Sequence, residues 1–346
     1  VKSPDNVVMI YGQGGLGKST LGAQAAAWEY KKTGKLTRVV NADGGGTVNA
    51  YAPLIEAGVA QIWNVDLWDE ASTFLNLEKA SKGFWPEDPS EPNSPLVAPY
   101  HKWKECPSCK GDVGAKGVNL PKKCASCDTP IAAGTFCSTK LTLTEEFDKV
   151  GVVVFEGFTS YGDILMRRLT DVNPEGGRTV EDNVGDVKYK ISAPGMQHYG
   201  NAQTYLAKYV ANSKLIPVDL VVWTALENRG DDDEKNVYGP KGPGKALTAA
   251  CIPWFTDVIH LDGIPEMKGG SIVKDEQGFE KISRKLFLAE HFPPDNKFYK
   301  FRAKTSATLG GDMPTVLDFP ARGNTFADFM ERLAEAKLKA KEALLG

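Results

Sequence analysis

The sequence predicts an α/β fold with a mostly parallel central sheet covered by helices. Two observations carry this. Short apolar runs that read as buried strands alternate with longer amphipathic or Ala-rich stretches that read as helices, an order that requires a sheet covered on both faces. The first of these runs, Val7 to Tyr11, leads straight into a glycine-rich turn and then a helix.

The helix after that turn runs from Lys18 to Lys32 and has Gly34 placed as its stop. Arg38 to Ala42 is the second strand. Leu54 to Asn64 and Leu67 to Ala80 supply further helix and strand. Pro86 to Pro99, rich in Pro, Ser and acid, reads as a linker. Gly151 to Phe155 returns to the core as a strand and Gly157 to Leu169 turns into a helix. Asn173 to Pro194 is polar and Gly-rich and is expected to be a mobile loop. Tyr199 to Lys214 is a helix, Asp219 to Thr224 a buried strand, Glu227 to Lys245 a polar loop, and Asp257 to Leu261 another strand. Thr325 to Leu345 is an amphipathic helix, with Thr325 and Asp328 spaced as a capping box. The expected organisation is a discontinuous core over 1–85 and 141–323, an insertion over 86–140, and a terminal helix over 324–346.

Bulk properties exclude several classes. The 346 residues are 42% hydrophobic and 25% charged, an ordinary globular composition. A net charge of −3 gives no global field toward nucleic acid or membrane, so any such binding needs a local patch. No apolar run reaches the length of about 18 residues that a membrane span needs. No basic segment precedes an apolar one at the N-terminus, so a cytoplasmic location is expected, and the first residue, Val1, reads as a trimmed or processed start.

The glycine-rich turn matches GxxxxGK[ST] in full: Gly12, Gln13, Gly14, Gly15, Leu16, Gly17, Lys18 and Ser19, followed by Thr20. Glycines let the backbone curl so that successive N–H groups face phosphate oxygens, and the helix behind aims its positive end at the same point. The pattern predicts ATP with Mg²⁺. Lys18 would reach the β- and γ-phosphates and the Ser19 hydroxyl would ligate the metal. Such a site also needs acid near the metal and a group to polarise water. Glu156 ends the strand Gly151–Phe155 and is assigned to the magnesium shell. Asp43 follows the second strand and is assigned to the water, with Asn41 in support. Thr224 ends its strand as a candidate sensor of the γ-phosphate.

Four of the six cysteines form two tight pairs, Cys106/Cys109 and Cys124/Cys127. CxxC-x14-CxxC brings four thiolates onto one Zn²⁺ and reads as a zinc ribbon whose folding energy comes from the metal. Cys137 and Cys251 read as ordinary buried residues. From Tyr100 to Pro130 there are six lysines against three acids, with His101 and Trp103 among them. Such a mixture suits stacking on bases with charges on phosphates; it also suits a protein-docking knob.

The P-loop, the acid after the second strand, the apolar strand ending in Glu156 before Phe158-Thr159-Ser160-Tyr161, and Val221 to Glu227 with its polar loop resemble, in order, the RecA-like ATPases. The resemblance extends to phage-encoded ATP-binding or single-strand-annealing recombinases, where Tyr238 to Lys245 and Trp254 to Leu261 also look familiar. It covers roughly residues 5–84 and 145–320. It implies that Asp43 is the catalytic carboxylate and Glu156 the metal-associated acid, a position where the family more often has Asp. It further implies an oligomer with ATP between subunits and a neighbour's cation at the γ-phosphate. Arg302 and Lys304, in the run Lys300 to Lys304, are the candidates for that cation; a solvated charged edge strand is the alternative. Single-stranded DNA is the expected partner and the host cytoplasm the expected place. The loops that contact DNA in the family are nearly neutral here: Asn173 to Gly200 holds four acids and three bases, and Glu227 to Lys245 five and four. A nucleotide-dependent switch acting on a protein in assembly or packaging stays open beside the DNA reading. The P-loop also resembles that of partition-type ATPases, but Gln13 stands where that family carries a lysine and Gly151 to Tyr161 does not match its switch segment.

Overall fold

A computed structural model describes residues 3–345 except 45, 66–69, 92–93, 111, 116–121, 132–138, 185–186, 229–237, 291–300, 307–314 and 320–322. The central sheet is built from β1 (Asn6–Gly12), β2 (Leu36–Asn41), β3 (Ala60–Asn64), β4 (Val150–Glu156), β5 (Leu220–Asn228), β6 (Asp257–Pro265), β7 (Ile282–Phe287) and β8 (Val316–Asp318). Their spatial order is β8-β7-β6-β1-β5-β4-β2-β3. The six strands from β6 to β3 run parallel, and β7 and β8 add antiparallel at one edge.

Side chains alternate across this sheet, which decides what covers each face. Val7, Met9 and Tyr11 of β1 enter one apolar cluster and Val8 and Ile10 the other. On the first face pack α3 (Glu70–Ser81), α4 (Phe158–Val172) and α5 (Met196–Ser213), through residues such as Leu77, Tyr161 and Leu206. On the second pack α1 (Lys18–Thr33), α2 (Val48–Glu56) and α6 (Thr325–Leu345), through Leu21, Tyr51 and Phe329. The strands read as continuous apolar runs because both their faces are covered. No helix among the described residues is long and apolar enough to cross a membrane.

Several local expectations change. The stretch read as a mobile loop after Asn173 contains an antiparallel hairpin, Arg178–Val184 paired with Val187–Ala193. Val187, Tyr189 and Ile191 alternate with Lys188, Lys190 and Ser192, the two-residue period of a strand. The linker contains a short pairing of Trp85–Pro86 with Leu96–Val97. The cap of α6 is Asn324, whose Oδ1 accepts from the Ala327 N–H at 2.9 Å; Thr325 is already the first helical residue. An Asx side chain one residue upstream satisfies the orphan donor as well as the predicted threonine would. Cys137, Lys116, Lys300 and residues 229–237 of the polar loop lie outside the described residues.

Candidate functional site

The C-terminal ends of β1, β2, β4 and β5 converge, as ligand sites of parallel sheets do. Between β1 and α1 the glycine-rich loop turns through two left-handed glycines, Gly15 at φ 78° and Gly17 at φ 106°. Gly12 is constrained differently: a Cβ there would lie 2.2 Å from the Leu261 carbonyl oxygen. Gly17 caps α1 and offers no side-chain acceptor, so the first-turn N–H groups of the helix face the loop with the positive end of the helix dipole. A cleft of about 580 Å³ opens here, lined by Gly14, Gly15, Gly17 through Thr20, Asp43, Thr47 and Leu226 among others.

Lys18 is buried, and its ammonium donates to the carbonyls of Gly12 at 3.1 Å and Gln13 at 2.8 Å. Desolvation pulls its pKa down, and the fields of Asp43, Glu156 and Glu227 work against that. An ammonium held by loop carbonyls, at a helix N-terminus, suits a polyanion.

Glu156 ends β4 fully buried and accepts from three hydroxyls. Thr224 and Ser19 donate to Oε2 at 2.6 and 3.2 Å, and Tyr51 donates to Oε1 at 2.6 Å. Burial raises its pKa, and these three donors partly offset the rise. Thr224 also accepts from the Gly157 N–H at 3.1 Å, which fixes its hydroxyl toward the carboxylate. Tyr51 was not legible as a site residue. Its approach depends on Gly22 in α1, where a Cβ would fall 2.3 Å from the tyrosine oxygen. An isolated glycine in an Ala-rich helix was the available signal of a close contact.

Asp43 is exposed on the cleft wall. Ser160 donates to its Oδ1 at 2.6 Å, and its own N–H donates to Asn41 Oδ1 at 3.0 Å. Asn41 in turn donates to Asn64 Oδ1 at 2.7 Å, so the β2 turn is pinned from β3. Gly157, at φ 95°, leaves room for the carboxylate, since a Cβ there would lie 3.1 Å from Asp43 Oδ1.

Arg302 and Lys304 are not among the residues lining this cleft. The Arg302 side chain pairs with Glu290, and its carbonyl accepts from the Tyr11 hydroxyl at 2.9 Å. The main chain of Lys304 bonds Val258 in both directions, at 2.8 and 3.0 Å. Val258 pairs with Met9, so Lys304 lies across β6 from β1 and three residues, or about 10 Å along the strands, below the level of Gly12. Near the loop, His260 Nε2 lies 2.8 Å from Glu227 Oε2 with both side chains buried, and Tyr11 and Phe301 stack on the imidazole at 4.6 and 4.0 Å. With Asp262 these residues place three ligand-type atoms within 4.8 Å of one another.

The four cysteines Cys106, Cys109, Cys124 and Cys127 converge as free thiols and could hold a metal ion such as zinc. Cys106 Sγ lies 3.7 Å from Cys127 Sγ, and Cys109 Sγ 3.7 Å from Cys124 Sγ. A tetrahedral ion bonded at about 2.3 Å spaces its sulfurs about 3.8 Å apart, so the donor set fits. The two turns match each other: Lys110 N–H bonds the Cys106 carbonyl and Asp128 N–H the Cys124 carbonyl, with φ of 61° and 53° at Lys110 and Asp128. The Thr129 hydroxyl and N–H bring the Cys127 thiol down to about 6, which favours the ligating thiolate. The module hangs on a three-stranded antiparallel sheet of Tyr100–Glu105, Asp112–Ala115 and Thr139–Leu143, separate from the central one.

No protein-family model matches the chain, and no curated protein matches it.

Proposed function

We propose that this chain is a RecA-like P-loop ATPase that works as a homo-oligomer on nucleic acid, single-stranded DNA foremost. The observation that carries the reading is the buried Lys18 ammonium. Among the described residues it donates to the carbonyls of its own loop alone, at the N-terminus of α1 and opposite two strand-end acids. In this account Lys18 exchanges those carbonyls for the β- and γ-phosphate oxygens of ATP. The Ser19 hydroxyl, already turned toward Glu156, would hold Mg²⁺, with Glu156 as the metal-associated acid. When bound, Mg²⁺ supplies Lewis acidity on the phosphate oxygens. Asp43, oriented by Ser160 and Asn41, polarises the attacking water. Arg302 and Lys304 lie away from their own cleft, so any action on a γ-phosphate is on a neighbouring copy's. Zn²⁺ holds the cysteine module, whose Lys110, Lys122 and Lys123 are exposed and suited to a phosphate backbone.

Asp43→Asn is expected to leave nucleotide affinity within about twofold and to lower hydrolysis roughly 100-fold, the usual scale for losing a positioned base. Fluorescent-nucleotide titration and phosphate release, run on the same preparation, separate the two. Affinity that collapses while turnover per bound ATP stays normal removes Asp43 from the water. Glu156→Gln is expected instead to raise the Mg²⁺ concentration needed.

A second reading is a nucleotide switch acting on a protein. The near-neutral loops over 173–200 and 227–245 favour it. Single-strand binding that falls steeply with salt separates the first reading from the second.

A further inference from the structure

Beyond β1, strand β6 runs on. Gly12 pairs with Leu261, and β6 continues to Pro265 while β7 pairs along this extension, Arg284 opposite Gly263. The extension forms a wall beside the phosphate-binding loop. The wall stands close: a Cβ on Gly263 would lie 3.0 Å from Leu16 Cδ2. Arg284 shares the face of β7 that Leu286 turns toward α1, because strand side chains alternate. Its Nη1 lies 3.4 Å, and the Phe319 ring 3.0 Å, from where a Cβ would stand on Gly17. Phe319 is buried, and its N–H donates to the Arg284 carbonyl at 2.9 Å, so β8 holds the arginine's strand against the loop. The Arg284 side chain is exposed and has no carboxylate partner among the described residues.

The charge balance of the cleft gives this arginine a task. Among the described residues lining the cleft Lys18 is the only cation, and Asp43 lies on the same wall with Glu156 behind. A nucleoside triphosphate brings several negative charges to one ammonium. Gly17 separates two sides of the loop: the cleft that runs to Asp43, and the wall that carries Arg284 and Phe319. The phosphate next to the nucleoside leaves the cleft on the wall side if the terminal phosphate faces Asp43.

We propose that Arg284 is the second cation of the nucleotide site, acting within its own subunit on the phosphate nearest the nucleoside. This rests on the nucleotide-binding reading above. It differs from the role given to Arg302 and Lys304 in the subunit it serves and in the phosphate it touches. A contact on the proximal phosphate is made by ADP and ATP alike, whereas one on the terminal phosphate discriminates between them.

The test is equilibrium titration of the full zinc-loaded chain with fluorescent ADP and fluorescent ATP, comparing wild type, Lys18→Ala, Arg284→Ala, Arg284→Lys and Arg284→Met. One charge-assisted hydrogen bond at a solvent-exposed cation predicts binding roughly tenfold weaker in Arg284→Ala, for both nucleotides. Arg284→Lys should recover part of the loss. Arg284→Met, which keeps an unbranched stem beside Phe319, should recover none. Melting without nucleotide should be the same in all. Unchanged affinity in Arg284→Ala, with Lys18→Ala defective, overturns the Arg284 assignment and leaves the nucleotide site standing. Loss confined to ATP moves the residue to the terminal phosphate and overturns it as stated. Recovery by Arg284→Met makes it a packing residue. Wild type that binds neither nucleotide sinks both readings.

Discussion

Lys18→Ala is expected to lower ATP hydrolysis by roughly 100- to 1,000-fold, the scale on which deleting one preorganised charge-stabilising donor acts. The fold should be unaffected. Lys18 makes its two hydrogen bonds to carbonyls of its own loop, and no carboxylate among the described residues pairs with it. Its ammonium is desolvated, so the folded protein without ligand loses little when it is removed. The contrast shows most sharply in thermal melting. A ligand at 100 times its Kd stabilises the native state by about 2.7 kcal/mol. Wild type should melt higher when Mg-ATP is added, while Lys18→Ala should melt as high as wild type without nucleotide and gain nothing from it. An equal gain in both proteins would remove Lys18 from the phosphates.

Cys106→Ser with Cys109→Ser is expected to release one zinc per chain and to disorder roughly residues 100–130. Among the described residues the module has only Cys106, Cys124 and Ile131 in its own apolar cluster, too little to fold without metal. Its strands pair with one another and not with β1 to β8. The central sheet should therefore survive, and basal ATP hydrolysis should stay within about twofold, whereas removing a member of the catalytic machinery costs far more. Metal analysis, thiol titration and phosphate release check the three parts. Freshly purified wild type without zinc, or with these cysteines joined as a disulfide, would defeat the assignment.

The features legible in the sequence were those encoded locally. Gly12 to Ser19 and the two CxxC turns are fixed spacings whose meaning does not depend on distant residues. The strands were legible because a strand covered on both faces shows as a continuous apolar run, as Val7 to Tyr11 does. What was not legible is what the order of strands in space decides. β5 inserts between β1 and β4, and this places Thr224 against Glu156 across 68 positions of sequence. Tyr51 reaches the same carboxylate only because α2 packs on α1 at Gly22. Arg284 reaches the loop through an antiparallel edge that no local spacing announces. The hairpin after Asn173 was missed for another reason: its apolar alternation, Val187, Tyr189 and Ile191, spans only five residues inside a polar stretch, and so short a run carries little signal. Arg302 was a candidate cation for a neighbour's γ-phosphate; its side chain is exposed and pairs with Glu290.

Phosphate release from Mg-ATP by the purified, zinc-loaded full chain, with and without single-stranded DNA, tests the central claim most directly. The account predicts turnover that saturates with ATP, disappears when Mg²⁺ is chelated, and rises when single strands are added at low salt. No turnover under any of these conditions, in folded protein that holds its zinc, would contradict it.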